Sequence, residues 1–233
     1  MLVLFDVDGT LLLSKGASMR CYKAAAREIF GRELQAEGMR TAGGLDPLIW
    51  LAMCAANGIG ATEAEAEQSR FRAAYTRILA AELARGDVAY ALPGVPALLD
   101  ALCDGGDAER RVHIGLLTGN YPETGLLKLQ AAGIAADRFM VAAWGDEAER
   151  RPDLVPLARE RHARRSGRAL PAERVVIVGD TPHDVECARV HGCRSLAVAT
   201  GGSTRAELEA SGASRVVDDL SDTGRILDWL NRD

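Results

Sequence analysis

Asp6 and Asp8 stand two residues apart where an apolar run ends, in LVLFDVDGTLL. A carboxylate can attack phosphorus as a nucleophile. It can also ligate Mg²⁺, which prefers oxygen and usually takes one or two carboxylates plus substrate oxygens. A second pair, Asp180 and Asp184, lies in VVIVGDTPHDVECA, with Asp180 at the end of its own apolar run. Acids gathered at one place repel each other unless a cation or added protons relieve them. A third run ends in Thr118, Gly119 and Asn120 of LLTGN. A hydroxyl and successive backbone N–H groups in a Gly-containing turn can cradle an anion, and a helix starting at the following PETG would favour phosphate further. Each segment also has a plain alternative: a solvated Asp-Gly turn, an ordinary TGN turn, and, for Asp184, a first-turn acid favoured by the helix dipole.

What joins the three segments is their place in the chain's pattern of elements. Short Val- and Ile-rich runs at 2–7, 111–118, 138–143, 174–180, 194–199 and 214–219 are apolar throughout instead of alternating, as strands covered on both faces are. Between them come helical stretches: PETGLLKLQAAGI, DLVPLARERHARRSG, PHDVECARVHG and STRAELEASG, the last with Ser203 or Thr204 as N-cap. This alternation predicts a parallel α/β sheet. Open parallel sheets bind ligands at the carboxyl ends of their strands, and Asp6, Thr118 and Asp180 all fall at such ends. From about 14 to 87 no strand is evident. CYKAAAREIF, DPLIWLAMCAANG and the long ATEAEAEQSRFRAAYTRILAAELARG predict an all-helical unit inserted after the first strand.

The bulk figures suit one core with an insert: 233 residues, 48% hydrophobic and 26% charged. A net charge of −5 without a basic run argues against nucleic acid or an anionic membrane as partner. Cys21, Cys54, Cys103, Cys187 and Cys193 are odd in number and irregularly spaced, as free thiols in a reducing compartment are. No apolar stretch reaches the ~18 residues of a membrane span, and the N-terminal pattern is not that of a secretory signal. A cytoplasmic protein, monomer or homodimer, is expected.

DVDGT, LLTGN and VGDTPHD, in this order and split by a helical insert, resemble the haloacid dehalogenase (HAD) superfamily, and more narrowly its phosphoglycolate-phosphatase-like branch. The resemblance implies a doubly wound, Rossmann-like parallel sheet core at 1–13 and 89–233 with an inserted helical cap at 14–88. It implies a Mg²⁺-dependent phosphatase acting on a small phosphorylated metabolite. Asp6 would be the nucleophile. Asp8 would be the general acid and then the base. Asp6, the Asp8 backbone carbonyl, Asp180 and Asp184 would hold the metal. Thr118, with Gly119 and Asn120, would bind the phosphoryl oxygens.

One departure stands out. The family normally supplies a lysine between the Thr turn and the last acids, but the three lysines here are Lys15, Lys23 and Lys128, none in that region. Arg151, before Pro152, takes that place, with Arg150 the runner-up. A guanidinium is larger and planar but can bind two oxygens at once. On the cap, RTAGGLDP offers Arg40, Thr41 and Asp46 for substrate contact or docking. It lacks the lysine of phosphonoacetaldehyde hydrolases and the Gly-x-Ser-Arg element of β-phosphoglucomutases. Asp8 favours phosphoryl transfer over dehalogenation. A phosphomutase, a pyrophosphatase, a dehalogenase or a non-catalytic binding protein are the alternatives. His113 is expected in a strand, His162 exposed on a basic helix, His183 in a loop that could approach the site, and His191 near a helix end. Trp50, Trp144 and Trp229 are expected to be packing anchors.

Overall fold

The central strand β1, Leu2–Phe5, is buried at every position because it has neighbours and helices on all sides. The computed structural model describes residues 1–39, 41–104 and 112–232. Six parallel strands are β1, β4 (His113–Leu117), β5 (Val141–Ala143), β6 (Val175–Gly179), β7 (Arg194–Val198) and β8 (Arg215–Val217), in the order β5-β4-β1-β6-β7-β8. The helices outside the 14–88 segment are α4 (Val95–Asp104), α5 (Pro122–Ala131), α6 (Leu154–Ser166), α7 (Pro182–Val190), α8 (Arg205–Ala210) and α9 (Thr223–Leu230). Alternate residues of β1 serve opposite faces. Val3 and Phe5 pack with Leu98 and Leu102 of α4, Leu129 of α5 and Ile226 of α9. Leu2 and Leu4 pack with Val155 and Ala158 of α6 and Cys187 and Ala188 of α7. This two-sided burial is why the run reads as continuously apolar.

The register fixes the site. Phe5 lies opposite Leu116 of β4 and Val178 of β6. Asp6, Thr118 and Asp180 therefore leave the carboxyl ends of three adjacent strands. The chain runs outward from β1 through β4 and β5, then returns to build β6, β7 and β8 on the other side, which leaves a crevice at β1.

After β1 the chain turns sharply at Gly9, whose φ of 80° is left-handed. Gly9 N–H donates to the Leu12 carbonyl at 2.9 Å. A short strand β2, Leu12–Leu13, then pairs antiparallel with β3, Tyr90–Ala91, a pair that the sequence pattern did not show. Between them run α1 (Ala17–Phe30), α2 (Asp46–Ala56) and α3 (Ala61–Leu83). These helices enclose a separate apolar cluster. Trp50 stacks on Phe71 at 4.0 Å between centroids, and Tyr22 meets Phe71 edge-on at 4.6 Å. The Trp50 indole N–H donates to the Ala64 carbonyl at 2.7 Å, so its one polar atom is satisfied inside the cluster.

Three expectations need correction. The strand expected at 138–143 is only Val141–Ala143, because a 3-10 turn at Ala136–Arg138 precedes it, with Arg138 paired to Asp100 at 2.5 Å. The strand expected at 214–219 shortens to Arg215–Val217. His162 is buried, not exposed, and its Nε2 lies 2.7 Å from Nδ1 of His113 on β4. It sits four residues after Ala158 on the stripe that α6 turns to the sheet. Burial and the facing His113 push the His162 pKa down to about 4, so His162 is neutral near pH 7. Trp50 is fully buried, Trp144 packs on the core, and Trp229 lies under the Arg194 guanidinium near the chain's end, all as packing anchors. Cys21, Cys54 and Cys187 are buried free thiols. Among the described residues, no helix is long and apolar enough to cross a membrane.

Candidate active site

A cavity of about 390 Å³ opens over the carboxyl ends of β1, β4 and β6, with the helical segment as its far wall. Asp6 and Asp180 line its floor and Asp184 lies behind them, one oxygen of each lying within 4.8 Å of the others. All three are buried. Arg151, also buried, is their counter-charge: its Nη2 stands 3.0 Å from Asp6 Oδ1 and 2.8 Å from Asp184 Oδ1. Arg150 is on the outside, 3.9 Å from Asp153, so the sequence's first choice between the two arginines is the one at the site. The Arg151 Nη1 reaches across to the Gly43 carbonyl at 3.1 Å. The Arg151 Nε–H is buried and has no acceptor among the described residues.

The charges do not balance. Three carboxylates face one guanidinium, and burial therefore pushes Asp6 up to about 6, against the opposing pull of Arg151. Asp180 goes up to about 8, through burial and the neighbouring charges of Asp184 and Asp6. Burial opposes the charge on Arg151, but Asp184 and Asp6 outweigh it and push its pKa up. A buried cluster of oxygen donors with surplus negative charge fits a hard divalent cation. Asp184 is also a first-turn acid of α7, and it makes a specific contact there that the helix-dipole alternative did not include. Its Oδ2 accepts from Thr181 N–H at 3.1 Å and from Thr181 Oγ1–H at 2.7 Å, closing a capping box at the start of α7.

The second half of the site lies on α5 and the turn before it. Thr118 is fully buried, and its Oγ1 accepts from Asn120 Nδ2 at 2.8 Å, which leaves its own O–H to donate elsewhere. Asn120, expected to meet the substrate through the backbone N–H groups of its turn, has its side-chain amide committed elsewhere. Nδ2 also donates to Asp8 Oδ2 at 2.9 Å, and Oδ1 accepts from Lys128 Nζ at 2.6 Å. Gly119 is where the loop after α1 docks. Its carbonyl accepts from Asp46 N–H at 2.7 Å, and a Cβ there would lie 1.8 Å from the Gly44 carbonyl oxygen. Asp46 itself is buried and accepts through Oδ2 from Tyr121 N–H at 3.0 Å. That is a docking contact; burial, opposed by Lys128, pushes its pKa up to about 6. Thr41 lines the cavity. Arg40 lies outside the described residues. His183 lies against Gly43, and its Nδ1 stands 3.9 Å from Glu186 Oε2.

Sequence reasoning passed over several residues. Lys128 was set aside for lying outside the usual region, yet it is 2% exposed with Nζ 2.7 Å from Asp8 Oδ2. The signal was there: Thr124, Gly125, Lys128 and Leu129 form the buried stripe of α5, so a lysine occupies a core position. Thr10 donates to Asp180 Oδ1 at 3.2 Å, and Gly202 N–H to Asp180 Oδ2 at 3.3 Å. Thr200 donates to the Gly9 carbonyl at 2.6 Å. Thr200, Gly201 and Gly202 follow β7, so the strand-end rule that found the other three segments would have found this one.

A HAD-hydrolase-like family model matches residues 150–223, the stretch holding Arg151, Asp180 and Asp184. The chain belongs to the HAD-like hydrolases. A phosphoglycolate phosphatase of Rhodospirillum rubrum is 32% identical over 232 residues, covering 98% of this chain and 90% of that protein. Among solved structures, a predicted phosphatase from Clostridium acetobutylicum aligns with a TM-score of 0.74 at 19% identity, over 97% of this chain and 98% of that one. CbbY from Rhodobacter sphaeroides in complex with phosphate aligns at 0.69 with 23% identity, over 96% of each. At these identities the structures speak for the fold: an α/β sheet of the Rossmann-like kind.

Proposed function

We propose that this hydrolase is a Mg²⁺-dependent phosphatase of small phosphomonoesters that works through an aspartyl phosphate, with phosphoglycolate first among the esters to try. The observation that carries this reading is the buried Asp6–Asp180–Asp184 cluster around Arg151, set beside Thr118 on the adjacent strand end. In this reading Asp6 attacks phosphorus, and the bond to the leaving oxygen breaks. Asp8 delivers a proton to that oxygen. Asp8 then takes a proton from water as the water attacks the aspartyl phosphate, releasing phosphate and restoring Asp6. The Thr118 hydroxyl donates to a phosphoryl oxygen. Arg151 lines the same cavity and would bring its guanidinium charge to the phosphoryl oxygens. Asp6, Asp180, Asp184 and the Asp8 carbonyl would hold Mg²⁺, which when bound supplies positive charge against the developing charge of the phosphoryl group.

The division into a core at 1–13 and 89–233 and a cap at 14–88 belongs to this proposal. Both crossings run through the β2–β3 pair, where Leu12 lies opposite Ala91 and Leu13 opposite Tyr90, and there Lys15 Nζ donates to the Asp87 carbonyl at 2.6 Å. A hinge at this pair would let the helices open for product release and close to exclude water. The closed state is held by the loop at 41–46 against Gly119. Gly119→Ala is expected to lower kcat/KM about 10–100-fold, because its methyl group must push that loop away from the reacting centre. Steady-state kinetics beside a thermal melt check this; a variant within twofold of the parent would show the contact to be dispensable.

The primary test is phosphate release from a panel of small phosphomonoesters, with Mg²⁺ and with EDTA. Metal-dependent turnover is expected. Formation of a phosphorylated isomer without phosphate release would select the mutase instead. A calorimetric companion follows from Asp180. Its folded pKa lies above the ordinary carboxylate value, so in the metal-free protein its contribution to stability is present at low pH. That contribution is lost as pH rises toward about 8. Mg²⁺ takes the place of that proton, so the rise in Tm on adding Mg²⁺ is expected to grow between roughly pH 5 and 8. A Tm shift that is flat across that range counts against a metal at Asp180.

A further inference from the structure

We propose that Lys128 is a positioning residue that fixes the Asp8 carboxylate by one oxygen, leaving the other directed at the leaving group. The inference rests on the role given to Asp8 above and goes beyond it.

Asp8 is the exposed member of the site. Its side chain is 39% exposed, while that of Lys128 is 3% exposed. An exposed carboxylate on a turn would sample several rotamers, and a group that must pass a proton across about one hydrogen-bond length cannot do so. Two donors from α5 and its preceding turn remove that freedom. Lys128 Nζ stands 2.7 Å and Asn120 Nδ2 2.9 Å from the same atom, Oδ2. The same ammonium, at 2.6 Å from Asn120 Oδ1, also orients the amide. The three side chains form a closed triangle in which the amide can be placed only one way, since its oxygen must face the ammonium and its nitrogen the carboxylate. With Oδ2 held twice, Oδ1 is the oxygen left for proton transfer.

A lysine in the buried stripe of α5 is expensive if its only service is packing. A buried charge costs several kcal/mol unless paired and hydrogen-bonded, and an apolar residue of like length would serve the helix better. Its position is set by the helix: Lys128 lies one turn beyond Thr124, whose hydroxyl donates to the Tyr121 carbonyl at the start of α5. The ammonium is thus carried on a rigid element, while the carboxylate it holds is on the turn after β1.

The test separates positioning from packing by the leaving group. An alkyl phosphate needs the leaving oxygen protonated as the bond breaks; p-nitrophenyl phosphate, with a stable phenolate leaving group, does not. Lys128→Met is expected to lower kcat on an alkyl phosphate about 100-fold, within the usual reach of general acid catalysis, and on p-nitrophenyl phosphate less than about fivefold. Asp8→Asn should show the same contrast, and the Asp8→Asn/Lys128→Met double variant should lose no more than Asp8→Asn alone. Lys128→Arg, which keeps the charge on a different donor geometry, should recover part of the alkyl-ester rate, and it carries the same comparison should Lys128→Met not fold. Equal losses on both esters, losses that multiply in the double variant, or an effect confined to KM would each overturn the assignment while leaving the phosphatase reading intact. A wild-type protein that hydrolyses neither ester in Mg²⁺ would overturn the phosphatase reading, and the role of Lys128 with it.

Discussion

Asp6→Asn is expected to lower phosphate release by at least about 10⁴-fold, or about 5.5 kcal/mol of barrier, because the amide cannot attack phosphorus. The loss will not come from unfolding. Asp6 is buried, and burial raises its pKa to about 6, above the ordinary carboxylate value of 3.8. A raised acid contributes stability that is present at low pH and is lost as pH climbs through about 6. At neutral pH the wild-type protein therefore carries the cost of an ionised Asp6, which the asparagine variant does not. Arg151 keeps Asp184 as its partner at 2.8 Å, so the guanidinium is not stranded. The variant should melt at or above the wild-type temperature in metal-free buffer at neutral pH, while turning over no ester in Mg²⁺. Quenching the wild-type reaction and mapping phosphate to the peptide holding Asp6 would complete the argument. Turnover within tenfold of wild type would remove Asp6 as nucleophile, and with it the aspartyl-phosphate route.

How this site was legible in one chain has a physical basis. A strand buried on both faces must be apolar, so a polar residue that ends it is conspicuous. Asp6, Thr118 and Asp180 were each found this way, and parallel pairing brings such ends together without further information. The same rule applied to the end of β7 would have added Thr200, Gly201 and Gly202, which brace Asp180 and the turn at Gly9. Lys128 escaped because it was weighed by distance along the chain from the acids. Its helix brings it to Asp8, 120 positions away in sequence. His162 escaped because the basic residues around it dominate α6, although its spacing from Ala158 marks the buried stripe. The β2–β3 pair was hidden for a different reason: two residues per strand are too few for any periodicity. The docking of the 41–46 loop rests on glycine backbone contacts at Gly43, Gly44 and Gly119, which leave no trace in residue chemistry until the chain is folded.

Arg151→Met is expected to destabilise the metal-free protein by about 3–5 kcal/mol at neutral pH, the usual cost of stripping the partner from buried charges. Arg151 is the only basic side chain that touches Asp6 and Asp184 among the described ion pairs. Its charge lowers the pKa values of Asp6 and Asp180 from where burial alone would set them. Without it those folded-state values rise further. Stability carried by a raised acid is fully present below the ordinary carboxylate value and falls as pH rises toward the folded one. The deficit of the variant should therefore be small near pH 4 and grow steadily through about pH 8. Urea unfolding of both proteins across that range measures it, and a deficit that does not change with pH would mean lost packing and not lost charge. Mg²⁺ should recover part of the stability, since the carboxylates that Arg151 neutralises are those proposed to hold the ion. Activity should fall in the same variant, because the guanidinium proposed to face the phosphoryl oxygens is gone. Arg151→Lys separates the two duties of the residue. An ammonium can sit between Asp6 and Asp184, but as a single nitrogen it cannot also reach the Gly43 carbonyl, which Arg151 meets with a second nitrogen at 3.1 Å. Lysine should therefore restore most of the pH-dependent stability while leaving the 41–46 loop less firmly docked, with kcat/KM about tenfold below wild type. If lysine restores both in full, the guanidinium's second contact is not part of the site.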